Sequence, residues 1–185
     1  MEAMSDSHIH LVAAQQTTEQ SGPTVSPAST MPGRFSAADI AAIRWQSVMT
    51  RNEALLALQE IVGNALGCED FAVFLCEENV LKPLAYCGSS FTEVRDIPIE
   101  EGITGYVART GECFFSGRGS AVTPANTAES LLTTCIPLRL DTGIFGVLAI
   151  YRLLPQKQQL SPADEEVLHF LEINASAALR RSNED

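Results

Sequence analysis

Glu101-Gly-Ile-Thr-Gly-Tyr-Val-Ala-Arg-Thr-Gly-Glu112 is the stretch on which the reading of this chain turns. An extended segment here gives way to a short helix bracketed by glycines. Gly102 and Gly105 permit backbone geometry that a side chain would obstruct. Thr104 is expected to accept from the free N–H groups of the first turn, and Gly111 to take the left-handed position that ends the helix. Such a turn sets the positive end of a helix beside a cavity mouth, which suits a small polar or anionic ligand. A plain strand-to-helix connector has the same pattern, so both readings stand at this point.

Upstream, Phe71-Ala-Val-Phe-Leu-Cys76 is strand-like, Glu78-Asn79 turns the chain, and Val80 to Cys87 returns as the second arm of a hairpin. Pro83 places that arm at an edge or on a bulge. Asp96-Ile-Pro-Ile99 is a third extended piece leading into the opening stretch. Downstream, Cys113-Phe-Phe115 is short and extended, and Ser116 to Ala128 has the aperiodic, glycine-bearing character of a lid or binding loop. Leu131 to Leu138 and Ile144 to Tyr151 read as two strands joined at Asp141-Thr-Gly143. Ser161-Pro162 caps a last helix, with Asp164, Glu165 and Glu166 matching its dipole. That helix is apolar over most of its girth, so it has two surfaces to bury.

A long helix is expected from Ser36 to Leu66, with a break near Thr50 to Asn52. Val48, Leu55 and Val62 recur on it at heptad-like steps that would suit the same helix of a second subunit, or its own sheet. Residues 1–33 are rich in Ser, Thr, Gln, Pro and Ala and read as a disordered tail, with one folded domain over 34–185.

The chain of 185 residues carries 23 Asp plus Glu against 12 Lys plus Arg, a formal charge of −11. A phosphate-tracking basic surface is not expected, which argues against nucleic acid as a direct partner. No run approaches the roughly 20 apolar residues of a membrane span, and no signal peptide is evident, so a cytoplasmic protein is expected. Five cysteines without a C-x-x-C, and three histidines of which two are His8 and His10, do not make a structural metal site. No G-x-S-x-G, Walker loop or H-E-x-x-H occurs.

The order of these pieces resembles the GAF domain family from about Ile40 to Leu179. The residues that carry the resemblance are G-I-T-G-x-V-x-x-T-G from Gly102, C-I-P-L at Cys135 to Leu138, G-V-L-A-I at Gly146 to Ile150, and S-P-x-D-E-x-x-L-x-F-L from Ser161. The resemblance implies an α+β fold, a profilin-like central antiparallel sheet. Its terminal helices would lie on one face, and a pocket-covering helix and loop on the other. It also implies a non-catalytic regulatory domain, homodimeric through its terminal helices, that senses a small molecule or contacts a separate signalling output protein. Candidate pocket residues are Phe74, Cys76, Tyr86, Ile103, Thr104, Tyr106, Phe115, Leu132 and Thr134, with Arg109 and Arg118 to answer an anionic ligand.

Cyclic-nucleotide members of the family carry an Asn-Lys pair where this chain has Tyr151-Arg152, while Asp164-Glu165 keeps the family spacing. An ion pair from Arg152 to Asp164 is expected there. Sulfoxide-reducing members place their attacking cysteine at the position of Thr104, whose hydroxyl cannot replace a thiolate. Cys87 and Cys113 remain as thiols, and Cys113, beside the loop and two residues past Gly111, is the better-placed redox candidate. No cofactor is identified. The alternatives are a ligand-free interaction scaffold, and a thiol redox sensor or divergent free methionine sulfoxide reductase.

Overall fold

The computed structural model describes residues 36–88, 95–119 and 121–181. The tail expected over residues 1–33 lies outside the described residues.

Two capping boxes decide how the first helices form. Ser36 Oγ accepts from the Asp39 amide at 3.1 Å while the Asp39 carboxylate accepts from the Ser36 amide at 2.8 Å, and this opens α1, Ala37–Gln46. Thr50 and Glu53 repeat the device and open α2, Arg51–Glu60. Thr50 holds an extended backbone with φ −116° and ψ 165°, so the long helix is broken into two at the expected place. After α2 the chain widens into a π-helical turn, Ile61–Ala65, and Gly67, with φ of 61°, ends it.

The strands are β1, Cys68–Glu77, β2, Val80–Cys87, β3, Ile97–Pro98, β4, Phe114–Phe115, β5, Thr134–Leu140, and β6, Gly143–Leu153. They form a six-stranded antiparallel sheet in the order β3-β2-β1-β6-β5-β4. Pro83 sits at an irregularity. Val73 pairs with Ala85 and Phe74 with Pro83, leaving Leu84 as the extra residue between them. The remaining helices are α3, Gly102–Thr110, and α4, Pro162–Leu179, the latter opened by a third capping box from Ser161 and Asp164.

Strand alternation sorts the core into two layers. Phe71, Val73, Ile136, Leu138, Leu148 and Ile150 face α1, α2, the π-helical turn and α4, where Leu58, Val62, Leu168 and Leu171 meet them. Ala72, Phe74, Cys135, Val147, Ala149 and Tyr151 face the other way, against Ile103 and Val107 of α3 and against Leu132. The fold is therefore α+β, with terminal helices on one face and α3 on the other. Arg51 Nε donates to the Leu179 carbonyl at 2.7 Å and Arg181 Nη1 to the Val48 carbonyl at 2.7 Å, tying the end of α4 to the break between α1 and α2.

One expected side-chain partnership is corrected by this geometry, and an open alternative is resolved. Arg152 lies directly across from Asp70 in the β1–β6 ladder and pairs with it at 3.2 Å, so it is not the partner of Asp164. Lys157 takes that place, with Nζ 2.7 Å from Asp164 Oδ1. Val48, Leu55 and Val62 pack into the domain's own core. The large apolar residues left exposed on the terminal helices are Ile40, Ile43, Leu56 and Ile173.

Candidate functional site

The opening stretch forms α3, with Gly102, Ile103 and Thr104 as its first three residues. Glu101, the residue before them, gives no side-chain cap. The free N–H groups of this first turn are taken instead by Glu129, which comes from the far end of the aperiodic loop. Its Oε2 accepts from the Ile103 amide at 3.0 Å, and its Oε1 accepts from the Thr104 amide at 2.9 Å and the Thr104 hydroxyl at 2.6 Å. Oε2 also accepts from the Ala125 amide at 2.7 Å, closing the loop onto the helix. Thr104 thus donates its hydroxyl to an acceptor and is not the cap that its sequence position implied. Its place at the third helical residue puts the hydroxyl inside the turn.

The loop is shaped to deliver this carboxylate. Asn126 Oδ1 accepts from the Glu129 amide at 3.0 Å and starts a short 3₁₀ turn, Glu129–Leu131. Gly102, at φ 64°, makes room: a Cβ there would lie 2.0 Å from Glu129 Oε2. Glu129 is only 2% exposed and Thr104 is fully buried. A buried carboxylate carrying this many donors, at the positive end of a helix, is fully compensated. The site is an intramolecular anion clasp.

The residues expected to line a pocket divide by strand face. Phe74, Ile103 and Leu132 pack in the buried cluster under α3, and Cys76 and Tyr106 border it. Tyr106 donates its hydroxyl to Glu112, and Arg109 pairs with Glu100 at 3.1 Å on the outer surface of α3. Tyr86 is exposed, opposite Ala72 in the β1–β2 ladder. Phe115 and Thr134 pair with each other across β4 and β5 and alternate onto the terminal-helix face, where Thr134 Oγ1 donates to the Phe114 carbonyl at 2.7 Å. Arg118 follows Phe115 to that side; its guanidinium lies 4.3 Å from the Phe115 ring centroid and pairs with Glu165 of α4. Phe114, one residue earlier, packs on the α3 side.

Cys113 lies beside α4, its Sγ 3.9 Å from Glu172 Oε2. Partial burial and the Glu172 carboxylate push its thiol up to about 11. Arg139 holds Glu172 from the other side at 2.6 Å and donates to the carbonyl of Gly111, the left-handed residue that ends α3. Among the described residues no group of three or more His, Cys, Asp or Glu could hold a metal ion, and no helix is long and apolar enough to cross a membrane.

Glu129 is the residue that sequence reasoning missed. Asn126-Thr-Ala-Glu129 has the spacing of a capping sequence and was the available signal, but its partner lies in another element.

An antiparallel sheet with terminal helices on one face and a short, clasped helix on the other defines the class: a small α+β domain. A sequence profile of the GAF domain matches residues 52–180, and the chain belongs to the GAF domain family. No curated protein sequence matches it. Among solved structures, it is similar to the GAF domain of a phosphoenolpyruvate-protein phosphotransferase from Acinetobacter, at 17% identity and a TM-score of 0.60, covering 77% of this chain and 90% of that one. The GAF domain of the phosphoenolpyruvate-protein phosphotransferase from Coxiella burnetii is similar at 17% identity and a TM-score of 0.61, with coverage of 77% and 90%. The free methionine-R-sulfoxide reductase of Neisseria meningitidis, solved with its substrate, is similar at 17% identity and a TM-score of 0.58, with coverage of 77% and 85%. Likeness at this identity shows the fold alone.

Proposed function

We propose that this chain is a non-catalytic GAF regulatory domain that dimerises through its terminal helices and passes its signal to a separate protein by contact. The observation that carries the reading is the Thr104–Glu129 clasp. The resemblance to sulfoxide-reducing members puts their attacking cysteine at Thr104, and here that hydroxyl is committed to a carboxylate. A hydroxyl so held supplies no soft nucleophile for sulfur. Cys113 does not replace it, because a thiol with its proton held to about pH 11 is almost entirely unionised at neutral pH.

Regulation then works through competition at the helix N-terminus. A small anionic ligand reaching α3 has to displace the Glu129 carboxylate, and displacement releases Ala125 and the loop that Glu129 anchors. Exposed Ile40, Ile43, Leu56 and Ile173 supply the apolar surface for a second copy. Sedimentation equilibrium of the full chain tests the assembly: a dimer is expected, and Ile43→Glu with Ile173→Glu should yield monomer. A wild-type monomer at all accessible concentrations would refute dimerisation. Turnover of free methionine sulfoxide would refute the non-catalytic reading.

A further inference from the structure

The end of the sheet opposite the β1–β2 turn carries a groove that the clasp does not use. The turn after β4, with Phe115, Ser116 and Arg118, forms one wall, and Lys157, Gln158 and Gln159 of the β6–α4 connection form the other. The last residues of β6, Tyr151 to Leu153, together with Thr133 at the start of β5, lie between them. The cavity measures about 550 Å³, within the ordinary size range of small-molecule sites.

Its charged lining side chains are cations. Arg118, Arg152 and Lys157 line it, and among the described residues no carboxylate does, in a chain of net charge −11. Each cation is held by a carboxylate that is not part of the lining: Arg118 by Glu165, Arg152 by Asp70 and Lys157 by Asp164. These pairs orient the cations and offset much of their charge, so what the groove offers an anion is a set of fixed N–H donors rather than a strong net positive field. Arg118 uses its two terminal nitrogens on Glu165 and stacks on Phe115, which fixes the guanidinium plane. A guanidinium has five donors and an ammonium three, so a second anion can be bound without breaking the pair to Glu165 or Asp164.

We infer that this groove binds a small phosphorylated organic molecule, its phosphate between Arg118, Arg152 and Lys157 and its organic part against Leu153, Leu160 and the neutral amides of Gln158 and Gln159. A forked guanidinium next to a point-charge ammonium favours the spread, multiply charged oxygens of a phosphate. Neutral hydrogen-bonding side chains and apolar surface beside it suit an uncharged body. The inference concerns binding alone and stands whether or not the proposed regulatory role does.

Isothermal titration of the full chain with inorganic pyrophosphate, and separately with citrate, tests it. Saturable pyrophosphate binding is expected, tighter than citrate. Arg118→Gln should weaken it by about tenfold or more, the worth of one charge-assisted hydrogen bond. Gln158→Glu, an exposed substitution that places a carboxylate in the lining, should weaken it similarly. Arg109→Gln removes a cation on the other face of the sheet and should leave it unchanged. Absence of saturable binding, a preference for citrate, or equal weakening by Arg109→Gln would overturn the assignment. Because neither Arg118 nor Gln158 is buried, unchanged thermal melting of both variants keeps the result free of a folding defect.

Discussion

Thr104 and Glu129 are joined twice, through the Thr104 amide at 2.9 Å and its hydroxyl at 2.6 Å, although the two residues lie in different elements. The pairing converts the start of α3 from an open anion cradle into a closed one. It also couples the helix that covers one face of the sheet to the loop beside it. Removing the carboxylate leaves the Ile103, Thr104 and Ala125 amides and a buried hydroxyl without their acceptor. Glu129→Ala should therefore cost about 3 kcal/mol of unfolding free energy, and Glu129→Gln less, since one side-chain oxygen remains. Urea denaturation measures both. A loss below about 0.5 kcal/mol for Glu129→Ala would mean that water replaces the carboxylate without penalty.

Asp164 gives a pH-dependent test. Burial raises its proton affinity, but the Lys157 ammonium and the Ser161 amide and hydroxyl outweigh burial and hold the carboxyl below its usual range. A carboxyl depressed in the folded state contributes stability that is present above its unfolded pKa, about 3.9, and is lost as pH falls through the lower folded value. Asp164→Asn should cost about 2 kcal/mol at pH 7, and the difference from wild type should shrink steadily below about pH 4. Denaturant midpoints at a series of pH values report this. A penalty independent of pH would assign the loss to the capping geometry rather than to charge.

Cys113 should react slowly. With its thiol raised to about 11, alkylation by iodoacetamide at neutral pH is expected to run well over tenfold slower than for an unperturbed cysteine. Glu172→Gln removes a neighbouring negative charge, lowers the thiol's proton affinity and should accelerate the reaction. Peptide mapping after timed alkylation follows Cys113 separately from Cys76 and Cys87. A fast wild-type reaction would restore the redox-sensor reading.

Much of the fold was legible because its signals are local. Ser161-Pro162 with Asp164 announces α4, Gly111 ends α3 in the left-handed conformation it was expected to adopt, and Pro83 marks the irregularity in β2. What was not legible depends on which element lies beside which. Arg152 was matched to Asp164 by family spacing, yet strand register sets it opposite Asp70. Phe115 was assigned to the α3 side, and a one-residue alternation places Phe114 there. The break near Thr50 was legible in the sequence, and the structure adds the capping box of Thr50 and Glu53 that makes it. Glu129 looked like a lone acid in an aperiodic loop because its partners are supplied by tertiary structure.

Gly102 offers the sharpest test of the clasp because two separable penalties meet there. Its φ of 64° is strained for any side chain, and a Cβ would sit 2.0 Å from Glu129 Oε2 and 2.8 Å from the Ala125 Cβ. The backbone part, about 1 kcal/mol, remains whatever occupies position 129, whereas the collision with Glu129 exists only while the carboxylate is in place. Gly102→Ala alone should cost about 3 kcal/mol, and in the Glu129→Ala background it should cost about 1 to 2. A double-mutant cycle by urea denaturation yields the difference as a coupling energy. Strict additivity would show that Glu129 does not sit over Gly102 in solution, and the start of α3 would then be open to a ligand.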